Sequence, residues 1–204
     1  MAKKRVLVVV DYQKDFVDGA LGFESAKNLD KGISELISKY EKDKNGLIIC
    51  TFDTHNEKYL DTQEGKKLPV EHCKQYTDGW ELYGKTGDTV NNLIGDIMHN
   101  DMEYGCNSVD SRTDKVVFVY KPTFPSLSLG TLLRYMDNEA DDGIESITLV
   151  GVVTNMCVIS NAVIAKAACP EAEIIIKKDL VDSFDKELHQ KALDVMASMQ
   201  MTIE

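Results

Sequence analysis

The sequence lacks any apolar run long enough to cross a lipid bilayer, which excludes an integral membrane protein. Positive charge is scarce, because 23 lysine and arginine residues stand against 34 aspartate and glutamate residues, for a net charge of −11. A chain this acidic repels phosphate backbones and its sequence has no basic patch, so we expect no nucleic-acid partner. The five cysteines are an odd number without framework spacing, which predicts free thiols in a reducing, cytoplasmic compartment.

What the sequence does contain is ordinary globular material, with 43% hydrophobic and 28% charged residues in a chain of 204. This is enough for one sizeable core and too little for two full domains, so we predict a single domain over residues 1–204. The N-terminal segment is basic and then apolar, but its apolar part is too short for a signal peptide, and we expect it to form the first strand.

Strand-like and helix-like segments alternate along the chain. Short β-branched or apolar runs predict strands at 5–11, 46–52, 115–120, 146–151 and 172–177, with a closing edge strand at 201–204. Helical spacing of apolar residues predicts helices at 27–43, 88–99, 129–136, 155–169 and 185–199. We therefore predict a three-layer α/β/α sandwich around a central, mostly parallel, doubly wound sheet of five or six strands. The long polar loop at about 53–85 has no clear periodicity, and loops of this length are usually functional.

Reactive residues gather where the predicted strands end. Asp11 ends the first strand, Asp53 and His55 follow the second, Lys121 follows the third and Cys157 follows the fourth. Ligands of open parallel sheets bind at the carboxyl ends of the strands, beside the point where the strand order reverses. The sequence therefore predicts a ligand site at this edge.

Cys157 has two interpretations. It is either a small buried residue in an alanine-rich helix, or a nucleophile whose thiolate is favoured by the helix N-terminus and a nearby cation. Asp11 is likewise either a cap for the next turn or a base that takes the thiol proton. Lys121 is either solvated or the cation that holds the thiolate and keeps Asp11 ionised.

A metal site is the second hypothesis at this edge. In an extended chain Asp53 and His55 project to the same side, and His72 lies in the same loop. Two imidazoles and a carboxylate are competent ligands of first-row metals, and Glu64 is either a fourth ligand or a surface charge. The histidines and cysteines expected to have no functional role are His99, His189, Cys50, Cys106 and Cys169, while Cys73 is left open beside His72.

Three motifs in order resemble the isochorismatase-like cysteine hydrolases over essentially the whole chain. They are VDYQKDF at 10–16, Lys121 after the third strand, and GVVTNMCV at 151–158. The loop segments DTH at 53–55, PVEHC at 69–73 and TDGWEL at 77–82 resemble the nicotinamidases within that group.

This resemblance implies a function and a set of site residues. It implies hydrolysis of nicotinamide to nicotinate and ammonia through a cysteine thioester, with homo-oligomeric assembly and a small amide as the substrate. The implied catalytic residues are Asp11, Lys121 and Cys157, and a cis bond between Val152 and Val153 would direct the Val153 amide, with the Cys157 amide, toward an oxyanion hole. The implied metal ligands are Asp53, His55, His72 and Glu64. Zinc is the first candidate ion, with iron or manganese as alternatives.

The residues expected to contact substrate depart from the nicotinamidase pattern at one place. Phe16 matches one aromatic wall for a pyridine ring, but Leu68 stands where the other aromatic wall is usual, and Trp80 or Tyr83 is expected to compensate. Two alternatives therefore stay open. One is another cysteine amidase of the superfamily, acting on a ureido, carbamoyl or small aliphatic amide. The other is a non-catalytic metal-binding protein on the same scaffold.

Overall fold

The computed structural model describes residues 3–95, 108–139 and 143–204. The strands are β1 (Lys4–Val10), β2 (Gly46–Asp53), β3 (Ser108–Ser111), β4 (Val116–Lys121), β5 (Ile144–Val152), β6 (Glu173–Asp182) and β7 (Thr202–Ile203). The α-helices are α1 (Lys14–Val17), α2 (Asp30–Lys42), α3 (Gln63–Lys67), α4 (Gly84–Ile94), α5 (Leu127–Glu139), α6 (Ile159–Ala168) and α7 (Lys186–Ser198). Short 3-10 helices lie at Glu24–Leu29, Tyr59–Asp61 and Asp78–Trp80.

The strands form one sheet in the order β3-β4-β2-β1-β5-β6-β7. All neighbours are parallel except β3, which is antiparallel to β4. The chain builds outward from β1 through β2 to β4 and then returns to place β5 on the other side of β1. The strand order therefore reverses at β1, and this puts the carboxyl ends of β1, β2, β4 and β5 around one crevice.

The predicted fold class is confirmed, but the sheet of the described residues has seven strands rather than five or six. The additional strand is β3, whose sequence SVDS carries a single apolar side chain. Such a segment gives no apolar run and no clear alternation, so its strand conformation comes from pairing with β4 rather than from its own sequence.

Alternating side chains of β1 serve two cores on opposite faces of the sheet. Val6, Val8 and Val10 pack with residues of α5, α6 and α7, whereas Leu7 and Val9 pack with residues of α2 and α4. Each fully buried valine or leucine contributes roughly 1.5–3 kcal/mol through removal of apolar surface from water. Burial on both faces explains why β1 is apolar throughout.

Several predicted boundaries shift in the structure. The helix expected at 155–169 begins as a π-helical turn, Thr154–Val158, which continues into α6. The helix expected at 88–99 lies at Gly84–Ile94, and both His99 and Cys106 fall outside the described residues.

The four described cysteines are free thiols, as predicted. Across the described ranges, no helix combines the length and apolar character that a membrane span requires.

Candidate active site

The sheet brings four of the predicted residues to one edge. Asp53 and Lys121 are the last residues of β2 and β4 and lie opposite each other in the parallel register. Asp11 directly follows β1, and Cys157 lies in the π-helical turn that follows β5. All four are buried, and Asp11 and Lys121 have no solvent exposure.

Lys121 is the centre of this group. Its Nζ lies 2.7 Å from Asp11 Oδ2 and 3.6 Å from Asp53 Oδ1. It also donates hydrogen bonds to the Thr123 carbonyl at 3.0 Å and to Cys157 Sγ at 3.7 Å. A buried ammonium is costly unless its donors are used, and here carboxylate, carbonyl and sulfur neighbours surround it.

Asp11 is held in place by β2. Its backbone has φ 45°, in the left-handed region that non-glycine residues rarely adopt. The Thr51 hydroxyl donates to Asp11 Oδ1 at 2.6 Å and accepts from the Asp11 amide at 3.2 Å. This leaves the second carboxylate oxygen directed at Lys121, and a constrained backbone of this kind is frequent at functional sites.

Burial is the largest influence on the pKa values of Cys157 and Asp11. It raises the pKa of the Cys157 thiol well above the ordinary value, and Lys121 only partly offsets this effect. Burial also raises the pKa of the Asp11 carboxyl, against the opposing effect of Lys121. Desolvation and the Lys121 ammonium therefore act on the Cys157 thiol in opposite directions, and the expectation that Lys121 favours the thiolate stays a prediction.

The turn that carries Cys157 is compact. The Val153 carbonyl accepts from the Met156 amide at 3.0 Å and from the Val158 amide at 3.2 Å, and the Val152–Val153 peptide bond is cis, as the resemblance implied. Just before it, Gly151 has φ +108°, and a Cβ there would lie 2.1 Å from the Val10 carbonyl oxygen. Only glycine fits this approach of β5 to β1.

The predicted metal ligands also come together. His55 Nε2 lies 3.0 Å from Asp53 Oδ2 and 3.9 Å from Glu64 Oε1, and His72 Nε2 lies 3.3 Å from Asp53 Oδ2. One ligand atom from each of these four residues lies within 4.8 Å of the other three. We call these residues the metal group.

The chemistry of the metal group fits a divalent first-row ion. Two imidazoles and two carboxylates are ligands that zinc, iron and manganese accept. Glu64 Oε2 is buried without a hydrogen-bond partner among the described residues. His72 Nδ1 lies 2.8 Å from the Val70 carbonyl, which can only accept, so Nδ1 carries a proton and Nε2 is the ring nitrogen that faces the group.

Asp53 is ionised in this setting. Burial alone would raise its pKa, but the Lys121 ammonium and hydrogen bonds from His55 and His72 together hold the pKa well below its usual range. An ionised carboxylate is the form that binds a cation, so Asp53 is in the protonation state that a metal ligand needs.

Sequence reasoning missed two residues that fix the metal group. The Gln13 side chain donates to the Asp53 carbonyl at 2.9 Å and accepts from the Asp53 amide at 2.8 Å. Asp15 Oδ2 accepts from the backbone amide of Cys73, next to His72, at 2.7 Å. Both lie in the VDYQKDF motif, two and four residues after Asp11, and this alternate spacing was the available signal.

Aromatic rings enclose the histidines. The Phe16 ring lies 5.4 Å from the His72 ring, and the Tyr59 ring lies 4.5 Å from His55 and 5.0 Å from His72. The Tyr59 hydroxyl donates to the Leu68 carbonyl at 2.9 Å, which ties the half-buried Leu68 to this cluster. The Phe16 ring therefore lies beside the metal group, and the Leu68 backbone is joined to Tyr59, while their contacts with substrate stay predictions.

Trp80 and Tyr83 are the two residues expected to compensate for Leu68. Trp80 is 1% exposed, stacks on Tyr120 at 5.6 Å and donates from its indole nitrogen to Thr54 Oγ1 at 3.0 Å. Its ring packs in the core below the 53–85 loop, and its contact with substrate stays a prediction. Tyr83 packs edge-on against the buried Tyr12 at 6.0 Å, at the start of α4.

Comparison with known proteins agrees with this geometry. The model of the isochorismatase domain family matches residues 5–99 and 107–204. Solved structures similar to this chain include three nicotinamidases or pyrazinamidases. The nicotinamidase/pyrazinamidase from Bacillus subtilis is 23% identical with a TM-score of 0.76, covering 98% of each chain. The pyrazinamidase/nicotinamidase from Streptococcus mutans is 25% identical with a TM-score of 0.77, covering 98% of this chain and 100% of the other. The pyrazinamidase of Pyrococcus horikoshii, solved in complex with zinc, is 24% identical with a TM-score of 0.70, covering 98% of each chain.

No curated protein sequence gives a match. The family match, however, extends over nearly the full length of the chain. The protein therefore belongs to the isochorismatase domain family and is a hydrolase of that family.

Proposed function

We propose that this hydrolase is a nicotinamidase, which converts nicotinamide to nicotinate and ammonia through a thioester on Cys157. The observation that carries the proposal is the position of the Lys121 ammonium, 2.7 Å from Asp11 and 3.7 Å from Cys157 Sγ. The same ammonium lies 3.6 Å from Asp53 of the metal group. A nucleophile, a carboxylate base and a cation-binding group therefore adjoin one another, which supports hydrolysis of an amide whose ring nitrogen binds a cation.

The first half of the reaction breaks the amide bond. As Cys157 Sγ forms a bond to the amide carbon, its proton passes to the Asp11 carboxylate, which converts the neutral thiol into the nucleophile. The negative charge on the amide oxygen is taken by the backbone amides of Val153 and Cys157, our proposed oxyanion hole. The carbon–nitrogen bond then breaks, Asp11 returns the proton to the leaving nitrogen, and ammonia departs from the thioester.

The second half regenerates the enzyme. Asp11 takes a proton from a water molecule as the water oxygen bonds to the thioester carbon. The carbon–sulfur bond breaks, the proton returns to the cysteine sulfur, and the carboxylic acid product is released. Lys121 stays charged throughout and steadies Asp11 in its ionised state, since burial alone favours the neutral acid.

Substrate binding is assigned to the metal group and its aromatic neighbours. Asp53, His55, His72 and Glu64 would hold a divalent ion, with zinc as the first candidate, and the bound ion would supply a Lewis acid for a pyridine nitrogen. Phe16 offers an apolar face beside His72 for the ring. This arrangement favours a flat heteroaromatic amide over an aliphatic one.

The second candidate is a different cysteine amidase of the family, acting on a ureido, carbamoyl or small aliphatic amide. It is favoured by the sequence at position 68, where a leucine stands in place of the second aromatic wall. A non-catalytic metal-binding protein is the weaker alternative, because it needs neither a buried thiol nor a buried carboxylate–ammonium pair around it.

The test is ammonia release by the purified protein, with its metal retained, from a panel of amides. The panel contains nicotinamide, pyrazinamide, benzamide, a ureido acid and a small aliphatic amide. We expect nicotinamide to be the best substrate and benzamide, which lacks the ring nitrogen, to be much poorer. Activity on the ureido or aliphatic compounds alone would favour the second candidate. Bound metal with no activity on any amide would favour the binding protein.

A further inference from the structure

The segment between Lys121 and α5, residues 122–126, lies against the helix that carries the nucleophile. We call it the lysine loop. Asn161 lies on α6, one turn beyond Cys157, and is completely buried. It lies outside the sequence motifs that mark the site, and it takes no part in the proposed proton transfers.

The amide of Asn161 connects the lysine loop to the nucleophile turn. Its Nδ2 donates to the Phe124 carbonyl at 2.9 Å and to the Cys157 carbonyl at 2.8 Å. Its Oδ1 accepts from the Ser126 amide at 3.0 Å. Both N–H donors and the carbonyl oxygen are thus used, and every partner is backbone.

The other end of the lysine loop is attached to the catalytic group. Lys121 Nζ donates to the Thr123 carbonyl at 3.0 Å while it contacts Asp11 and Cys157 Sγ. The loop is therefore held at Thr123 by the ammonium and at Phe124 by Asn161. Through these contacts the Asn161 side chain connects the backbone that follows Lys121 to the backbone of Cys157.

The residue type supports a specific role at this position. Asparagine is a poor helix former, and the neighbouring buried positions of α6 carry the small apolar residues Ala162 and Ala165. A buried amide is tolerated only when its hydrogen bonds are made, and an alanine here would remove the side-chain partner of the Phe124 carbonyl and of the Ser126 amide in the loop. Helix stability alone does not account for asparagine.

We propose that Asn161 is a positioning residue for the hydrolase reaction. By fixing the lysine loop to the Cys157 carbonyl, it sets the distance between the Lys121 ammonium and the Cys157 sulfur. The role of Asn161 in turnover rests on the proposed cysteine mechanism. The alternative is a satisfied core amide that contributes to stability only.

Two substitutions separate the loop contact from the local helix contact. Asn161→Ala removes all three hydrogen bonds. Asn161→Ser keeps a hydroxyl that can donate to the Cys157 carbonyl four residues back, but it is too short to reach the lysine loop. Asn92→Ser, at an exposed position of α4, is the matched control for the same change elsewhere.

We expect both Asn161 variants to lose about tenfold or more in kcat, since a misplacement of ~1 Å can cost on the order of 100-fold. KM should change less than about twofold, because the residues assigned to the substrate ring lie on other elements. The assays are run well below the unfolding temperature of each variant. Asn92→Ser should match the unaltered protein.

Alkylation of Cys157 by iodoacetamide, followed by mass spectrometry of its peptide, gives a readout that needs no substrate. We expect it to slow several-fold in both Asn161 variants, because the ammonium that favours the thiolate is less firmly held. If the unaltered protein hydrolyses no amide, the proposed function fails while this comparison still tests Asn161. If the Asn161 variants had a lower unfolding temperature but unchanged kcat and alkylation rate, Asn161 would have a structural role only. Full recovery in Asn161→Ser would equally overturn the loop-based role.

Discussion

Asp53 and Lys121 lie opposite each other at the ends of β2 and β4, with 3.6 Å between Asp53 Oδ1 and Lys121 Nζ. The same ammonium lies 2.7 Å from Asp11 Oδ2, and all three side chains are buried. One cation therefore serves two carboxylates, one in the metal group and one beside the nucleophile. The parallel register that aligns the strand ends joins the two halves of the site into a single charged cluster.

Removal of this cation should be costly for stability as well as for activity. Lys121→Met keeps the length of the side chain but leaves Asp11 and Asp53 buried without their shared partner. Breaking a buried ion pair in this way typically costs about 3–5 kcal/mol. We expect a loss of this size in the free energy of unfolding, measured by urea titration, together with slower alkylation of Cys157.

The double variant Lys121→Met/Asp11→Asn provides the control. It removes one of the two stranded carboxylates, so it should recover part of the lost stability without recovering any turnover. If Lys121→Met alone unfolded at the same urea concentration as the unaltered protein, the shared-cation description of Asp11 and Asp53 would be wrong.

Cys157→Ala should abolish amide hydrolysis and leave the fold intact. The change removes the only atom that forms the covalent intermediate, yet it deletes very little buried volume. Cys169→Ala is the matched control, since Cys169 is also a buried free thiol but lies at the other end of α6. Ammonia release should vanish in the first variant and persist in the second. Appreciable turnover by Cys157→Ala would rule out the thioester route.

Asp11→Asn should lower kcat by about 10²–10⁴-fold, because an amide cannot take the thiol proton or return it to ammonia. The side chain keeps nearly the same shape, so the Thr51 contact and the fold should survive. Asp18→Asn, at an exposed position just after α1, carries the same change away from the site and should leave kcat unaltered. A similar kcat for Asp11→Asn and Asp18→Asn would remove the assignment of Asp11 as base.

The edge that holds the site could be predicted because buried parallel strands have a strong sequence signature. The apolar runs ending at Asp11, Asp53 and Lys121 mark strands buried on both faces, and parallel strand ends meet at one edge. The 3.7 Å contact between Lys121 Nζ and Cys157 Sγ follows from this topology. By contrast, β3 is too short and too polar to have a pattern of its own.

The residues that fix the site could not be found in the same way. Gln13 and Asn161 are polar residues of kinds that usually lie at the surface, and their roles depend on contacts with distant segments. Gln13 reaches Asp53 across 40 positions, and Asn161 reaches Ser126 across 35. The packing of Trp80 was not predictable either, because its indole stacks on Tyr120 and donates to Thr54, which lie on other segments.

Substitutions in the metal group should lower the metal content of the protein but leave Cys157 reactive. His55→Ala or His72→Ala removes one of four ligands, and we expect metal-poor protein with weakened hydrolysis of nicotinamide. Glu64→Ala should lose less metal, because Glu64 Oε1 lies 3.9 Å from His55 Nε2, a looser contact than those made by Asp53. Glu57→Ala, an exposed carboxylate in the same loop, is the control and should retain full metal. Metal is measured by elemental analysis of the purified proteins, and Cys157 should still react with iodoacetamide in every variant. Full metal occupancy in both histidine variants would contradict the metal group and favour a metal-independent amidase.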